Sequence, residues 1–204
     1  MNNNSNFSTL KLAKMALMLA IATICSFFWF PILPGATFLH FEVSDIAILI
    51  AAFAFGPIPG LVVGVLSILL HDIIVGAVDG PYGMIMHVIA VVTLVLVAGF
   101  IYSKFKSKKG ALTALIVGGL CMAAIMIPAN LIVTPLFMGV PRDAVIVMLP
   151  TIIIPFNLIK VLILCVVVFF IYKRISPFLH KWGVDDPKRE EKAMSTEENK
   201  DSSL

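Results

Sequence analysis

Charge is what this sequence has little of. Only 13% of its 204 residues are Asp, Glu, Lys or Arg, while 60% are hydrophobic and the mean hydropathy is +1.03. A soluble domain of this size needs a larger polar complement to cover its surface, so the composition argues against that class. Cysteine is also sparse. Cys25, Cys121 and Cys165 each stand inside an apolar stretch, with no CxxC pair and no metal-ligand spacing. They read as small buried hydrophobes rather than as a disulfide framework. There is no HExxH, no nucleophile elbow and no complete Walker A sequence, so neither a hydrolase nor an ATPase has support. Asp45, Asp72 and Asp79 share no ligand spacing, and no metal site is expected. No basic cluster is interleaved with aromatics on an exposed face, which removes the case for nucleic-acid binding.

What the chain does have is long apolar runs. They predict an all-α membrane protein with six transmembrane helices over 9–30, 43–55, 58–78, 82–102, 111–132 and 151–172. The second is short, about 18–20 Å at ~1.5 Å per residue, and needs protein around its ends to cross. Residues 1–8 read as a polar N-terminal segment. Residues 9–180 read as one six-helix transmembrane domain, and 181–204 as a disordered polar tail. The first run reads as a span rather than a cleaved signal peptide, since no small-x-small site ends it. The cations choose the orientation. Lys11, Lys14, Lys104, Lys106, Lys108, Lys109, Lys173, Arg174 and Lys181 all fall on one side of a six-span arrangement. The opposite loops offer only Arg142, beside Asp143. By the positive-inside rule both termini are cytoplasmic.

That orientation gathers the polar residues at one depth. His71, Asp72, His87, Asn130, Asn157 and Lys160 all fall in outer halves, and Glu42 and Asp45 begin the second span on the outer side. Lys160 is the costliest of them, a charge with apolar sequence on both sides. Asn157 precedes it by three residues and shares its helix face. An amide and an ammonium on one inward face suit a small polar ligand with carbonyls, ring nitrogens or hydroxyls. Phe38, Phe41, Tyr82 and Phe156 offer apolar or stacking surface. The expected result is a ligand pocket open to the outer half. Other readings stand beside it. Lys160 pairs with Asp72 as a structural bridge, Asn157 makes a helix-packing hydrogen bond, Asn130 caps a helix broken at Pro128, and His71 with Asp72 forms a proton relay. On the first span, Ala16 and Ala20 make an AxxxA spacing that serves either internal packing or a partner.

Several motifs together resemble the riboflavin-binding substrate subunits of energy-coupling-factor (ECF) transporters. They are Phe30-Pro-Ile-Leu-Pro34, Phe41-Glu-Val-Ser-Asp45-Ile, Phe55-Gly-Pro57, His71, Gly80-Pro-Tyr-Gly83, Lys109-Gly110 and Asn130. The most specific is Ile154-Pro-Phe-Asn157-Leu-Ile-Lys160, followed by Tyr172-Lys-Arg-Ile-Ser-Pro177-Phe. The resemblance covers roughly residues 10–180. It implies a six-helix fold in which the loop over 31–42, with Phe38, Leu39 and Phe41, shields the ligand. It implies that Asn130, Asn157 and Lys160 contact a flavin, and that Ala16 and Ala20 face a transmembrane coupling subunit joined to two ATP-binding-cassette ATPases. The substrate subunit of such a transporter is thought to topple in the membrane. No cofactor is implied; riboflavin or a related flavin is the transported ligand.

One departure stands out. Members of that family carry a glutamate after the Gly-x-x-Gly turn, where this chain has Met84. Asp72 or His87 are the candidates to replace it. A pocket that keeps Lys160 and loses its acid favours an anionic ligand such as a flavin phosphate. The competing classes are an autonomous proton-coupled secondary carrier, an S subunit for a non-flavin ligand, and a membrane scaffold without a ligand.

Overall fold

The structure is a computed structural model that describes residues 9–76 and 80–182. The polar segment at 1–8, Asp79 of the expected turn and the tail from 183 lie outside the described residues. The fold is mostly helical: α1 (Thr9–Ser26), α2 (Ser44–Phe55), α3 (Pro57–Val75), α4 (Gly80–Lys104), α5 (Lys108–Met138), α6 (Arg142–Met148) and α7 (Ile154–Trp182). A single π-helical turn, Leu149–Ile153, joins α6 to α7. Among the described residues, four helical runs are long and apolar enough to cross a membrane: α3, α4, α5, and the run from Arg142 to Arg174. The chain is a multi-span membrane protein on that ground.

Three boundaries differ from expectation. Helix α5 runs through Pro128 and Pro135 to Met138, beyond the expected end of the fifth span at 132. Pro135 has no N–H to give the carbonyl of Leu131. Arg142 Nε donates to that carbonyl instead, at 3.2 Å, and so ties α6 to α5. Helix α7 continues through Trp182, past the expected start of the tail. The loop after α1 holds two short strands, β1 (Trp29–Pro31) and β2 (His40–Glu42). They pair antiparallel with Trp29 opposite Glu42 and Phe30 opposite Phe41. No strand was expected in a stretch so rich in proline.

Helix α2, shorter than the four membrane-length runs, is the central one. Helix α2 buries Asp45 and nearly every residue from Ala47 to Phe55. It packs against α1, α3, α4 and α7, which shelter it on all sides. Its end is a one-residue corner: Gly56 takes φ +99°, a region open to glycine, and Pro57 starts α3 at a position that needs no N–H. Close contact needs small residues. A Cβ built on Gly60 of α3 would lie 2.4 Å from the Cα of Ala52 in α2, and one on Gly119 of α5 would lie 2.5 Å from Val161 in α7. At the end of the bundle away from the hairpin, Tyr102 and Tyr172 share a buried 2.9 Å hydrogen bond, with the Phe53 ring packed on Tyr102.

A separate small core lies over the opposite end. Ala36 and Leu39 of the hairpin loop pack with Val145, Ile153 and Phe156. The hairpin loop is thereby seated on α6 and the π turn, while Ile32 also reaches the main core.

The α2–α3 contact generates a test. Gly60→Ala must push two backbones apart, and overpacking of this kind costs about 1–3 kcal/mol. The expected outcome is a clear fall in Tm of the detergent-purified protein. An unchanged Tm would mean that the two helices are not held this closely.

Candidate ligand-binding site

Four side chains from four elements meet beneath the hairpin. Lys160 of α7 places Nζ 2.8 Å from Asp45 Oδ2 of α2, with the two side chains 7% and 1% exposed. The other carboxylate oxygen, Asp45 Oδ1, lies 3.1 Å from His87 Nε2 of α4. The far side of that ring, Nδ1, lies 3.0 Å from Glu42 Oε1 of β2. Ser44 Oγ donates to Glu42 Oε2 at 3.4 Å. The chain of contacts therefore runs from α7 through α2 and α4 to the hairpin.

The local sequence explains how α7 delivers its share. Pro150 and Pro155 lack N–H groups, and the ladder between them widens into the π turn; the Ile154 N–H bonds to the Leu149 carbonyl, five residues back. Regular helix resumes at once. Phe156, Asn157 and Lys160 follow on the buried face. Asn157 Nδ2 donates to the Ile153 carbonyl at 2.8 Å. On α5, Asn130 Nδ2 donates to the Met126 carbonyl at 2.7 Å and its Oδ1 accepts from Thr134 at 2.9 Å. Both amides are thus oriented by their own helix. Neither caps a broken helix; α5 passes Asn130 intact. Each amide has a second N–H, and Lys160 two more, with which to meet a ligand.

These groups line a cavity that offers about 100 Å³ to the centre of a water molecule. That is several times the space one water needs. Its polar wall is Asn130, Thr134, Asn157, Lys160, His87 and Glu42; its apolar wall includes Phe38, Leu39, Tyr82, Phe137 and Phe156. Flat apolar surface facing a buried polar edge is the arrangement that takes a planar heteroaromatic ligand.

Several expectations change here. Phe41 does not line the cavity. It is 2% exposed, lies against Phe30 across the strand pair and belongs to the main core. Strand alternation explains this, since His40 and Glu42 on either side face the cavities. Asp72 does not bridge to Lys160; it meets its neighbour His71 at 3.2 Å. Asp72, His71 and Met84 line an adjoining cavity with Trp29, which shares His40, Glu42, Gly83 and His87 with the first. The partner of Lys160 is Asp45, a residue read from sequence only as the start of a span. The signal that pointed to it was its place in the Phe41-to-Asp45 motif. The acid absent at Met84 is therefore not the acid that offsets Lys160. Ala16 and Ala20 are exposed on the outer side of α1, whereas Met15, Met18 and Ala22 make its buried face. Internal packing leaves the AxxxA face unused. Cys121 is also exposed, not buried as its apolar surroundings suggested.

Comparison with known proteins addresses the family directly. Residues 10–172 match the family described as ECF transporter, substrate-specific component. The chain belongs to the substrate-specific (S) components of ECF transporters. Its relatives include the Riboflavin transporter RibU of Staphylococcus aureus, 29% identical over 84% of this chain and 93% of that protein. The Riboflavin transporter FmnP of Bacillus subtilis is 26% identical over 84% of this chain and 94% of that one. A solved structure described as "Structure and mechanism of the S component of a bacterial ECF transporter" superposes with a TM-score of 0.70 at 30% identity. It covers 82% of this chain and 96% of its own. This S component is a multi-pass protein of a bacterial plasma membrane and a transport component rather than an enzyme. S components operate with further transporter subunits.

The ion pair makes a stability prediction. Lys160→Met leaves the Asp45 carboxylate buried without its cation, and breaking such a pair from one side costs about 3–5 kcal/mol. The double change Asp45→Asn with Lys160→Met removes both charges and is expected to recover much of that loss. Thermal unfolding of the three proteins in one detergent checks it; a double variant no more stable than Lys160→Met contradicts it.

Proposed function

We propose that this S component captures riboflavin or a close flavin relative from outside the cell for ATP-driven uptake. The observation that carries the reading is the cavity itself. Its aromatic and aliphatic wall faces a buried polar set, Asn130, Asn157 and Lys160, in a chain whose relatives are named riboflavin transporters. An isoalloxazine ring has the matching character, with flat apolar faces and carbonyl and ring-nitrogen edges. Phe38, Leu39 and Tyr82 are assigned to the ring faces. Asn130, Asn157 and Lys160 are assigned to its polar edge, with His87 beside them. Asp72 and Met84 border the adjoining cavity and are assigned to the neighbourhood of the ligand's chain rather than to the ring.

In this reading the chain crosses the membrane six times, with α1 and α2 completing the set, and keeps both termini in the cytoplasm. The segregation of lysines to one set of loops supports it, as does the burial of α2 within the bundle. The cavity then opens to the outer half, under a hairpin seated on its own small core. The exposed Ala16 and Ala20 face of α1 is assigned to the transmembrane coupling subunit, where small residues permit close helix contact. That subunit links it to two ATP-binding-cassette ATPases.

Purification in detergent followed by mass spectrometry of any bound small molecule tests the ligand; a co-purifying flavin is expected. In a fluorescence-quenching titration, Asn157→Ala is expected to weaken riboflavin binding tenfold or more. That matches the roughly 1–3 kcal/mol attached to a buried hydrogen-bonding group. Unchanged affinity removes Asn157 from the site. Uptake that needs a separate ATPase module and persists with a proton uncoupler at fixed ATP distinguishes this reading from a proton-coupled carrier.

A further inference from the structure

A histidine ring is neutral with one N–H or cationic with two, and the atoms beside its two nitrogens say which. His87 has a carboxylate oxygen on each side. Asp45 Oδ1 lies 3.1 Å from Nε2, and Glu42 Oε1 lies 3.0 Å from Nδ1. A neutral ring would turn a bare lone pair toward one of those oxygens. The contacts therefore hold one proton more than two carboxylates and a neutral imidazole carry. With that proton, Glu42 and Asp45 balance His87 and Lys160 charge for charge. Without it, a mostly buried cluster is left one negative charge in excess, which is costly away from water. The two carboxylates are not equally free to leave. Asp45 is 1% exposed, and Lys160 Nζ holds its other oxygen at 2.8 Å. Glu42 is 22% exposed, ends β2, and has a long 3.4 Å hydrogen bond from Ser44 Oγ on its other oxygen. A ring that gives up its proton therefore keeps Nε2–H on Asp45 and turns the Nδ1 lone pair on Glu42, which moves away.

We propose that His87 is a positioning residue: as an imidazolium it clips the end of the hairpin to the helices beneath, and loss of its proton releases the clip. Glu42 is the side chain by which β2 reaches α4, and it borders both cavities. Phe41, buried in the main core, keeps the strand itself in place. What the clip fixes is the strand's end and the loop over the cavity. A ligand held under that loop is bound more tightly with the proton on, so affinity falls as pH rises through the titration of the cluster. The proton acts as a fixed part of the site and does not make the chain a proton-coupled carrier. Other titratable side chains face the same cavities: His40 of β2, His71 and Asp72 of α3, and Tyr82 of α4 itself. Helix α5 faces them with the uncharged Asn130 and Thr134. His40 and His71 are histidines too, so the test has to separate them from His87. The inference rests on the flavin reading for its choice of ligand, but not for the clip.

The first measurement needs no ligand. Amide hydrogen exchange of the full chain in detergent is followed at about pH 6 and about pH 9, toward the two ends of the range in which histidines change charge. It is read for residues 36–41 and, as a reference in the same molecule, for the loop 104–107. Base catalysis speeds both segments alike, so their ratio reports structure. In the wild type the ratio is expected to rise about threefold or more at the higher pH. In Glu42→Gln it is expected to stay within twofold, because an amide N–H can donate to the bare Nδ1 and keep the contact. His71→Asn and His40→Gln are expected to keep the wild-type rise, and they decide the matter if Glu42→Gln does not fold. A wild-type ratio that does not change, a full rise in Glu42→Gln, or loss of the rise in either histidine variant overturns the proposal. The second measurement is a riboflavin titration at the same two pH values. The wild type is expected to lose about tenfold in affinity at the higher pH, and Glu42→Gln less than twofold. Equal wild-type affinity at both overturns the proposal. If no riboflavin binds, the flavin reading falls while the exchange measurement still decides the clip.

Discussion

The rest of the site depends on one buried ion pair, Lys160 with Asp45. Each charge alone would be far too costly to keep away from water, and their attraction repays the desolvation only when geometry and further hydrogen bonds are good. Here they are. The second oxygen of Asp45 has His87, and His87 has Glu42 on its far side. Such a chain specifies structure more than it stabilises it. It joins α7, α2, α4 and β2 in one register, and a slip of any of them would strand a charge. That constraint explains why the short α2 can be central. Its first turn is held by Asp45, and its remaining length is buried among four other helices.

The scaffold divides into a floor and a roof with different physics. The floor is helix packed on helix at distances that only glycine and alanine allow, as at Gly60 against Ala52 and Gly119 against Val161. The roof is a two-stranded hairpin whose loop rests on a small apolar core of its own with α6 and the π turn. Besides Phe41, which is buried in the main core, two polar contacts tie the roof assembly to the floor. One is Glu42 to His87; the other is Arg142 to the carbonyl that Pro135 leaves open. Local opening, where it occurs, is cheapest where little apolar surface is lost.

Much of this was legible in the sequence, and the gaps have physical reasons. Apolar runs located the helices, and spacing put Asn157 and Lys160 on one face, because both follow from local periodicity. The cavity wall of Asn130, Asn157, Lys160 and His87 emerged from counting depth along each run. The partner of Lys160 did not. Depth counting cannot tell which helix neighbours which, so the sequence pointed to Asp72, and packing put Asp45 there instead. Asp45 sits in the first turn of α2, a position that reads as the edge of a span. The hairpin was hidden by its prolines, since a two-stranded ribbon at a sheet edge tolerates them. The length of α5 was hidden for a similar reason: Pro128 and Pro135 suggest an end, yet Asn130 and Arg142 satisfy carbonyls in their neighbourhood.

The pair also changes what a conspicuous charge in an apolar helix says about a ligand. Taken alone, Lys160 points to an anion. Taken with Asp45 it is half of a neutral group, and the remaining N–H donors are what a ligand can use. In the proposed reading, recognition draws on shape and hydrogen bonds: aromatic faces at Phe38, Tyr82 and Phe156, and amides that their own helices have already oriented. A pre-oriented amide loses little freedom when a ligand arrives, so more of its hydrogen-bond energy appears as affinity. Charge fixed within the protein and polarity presented to the ligand are therefore separate tasks here. In the proposed reading Asp45 performs the first, and Asn130, Asn157 and Lys160 the second.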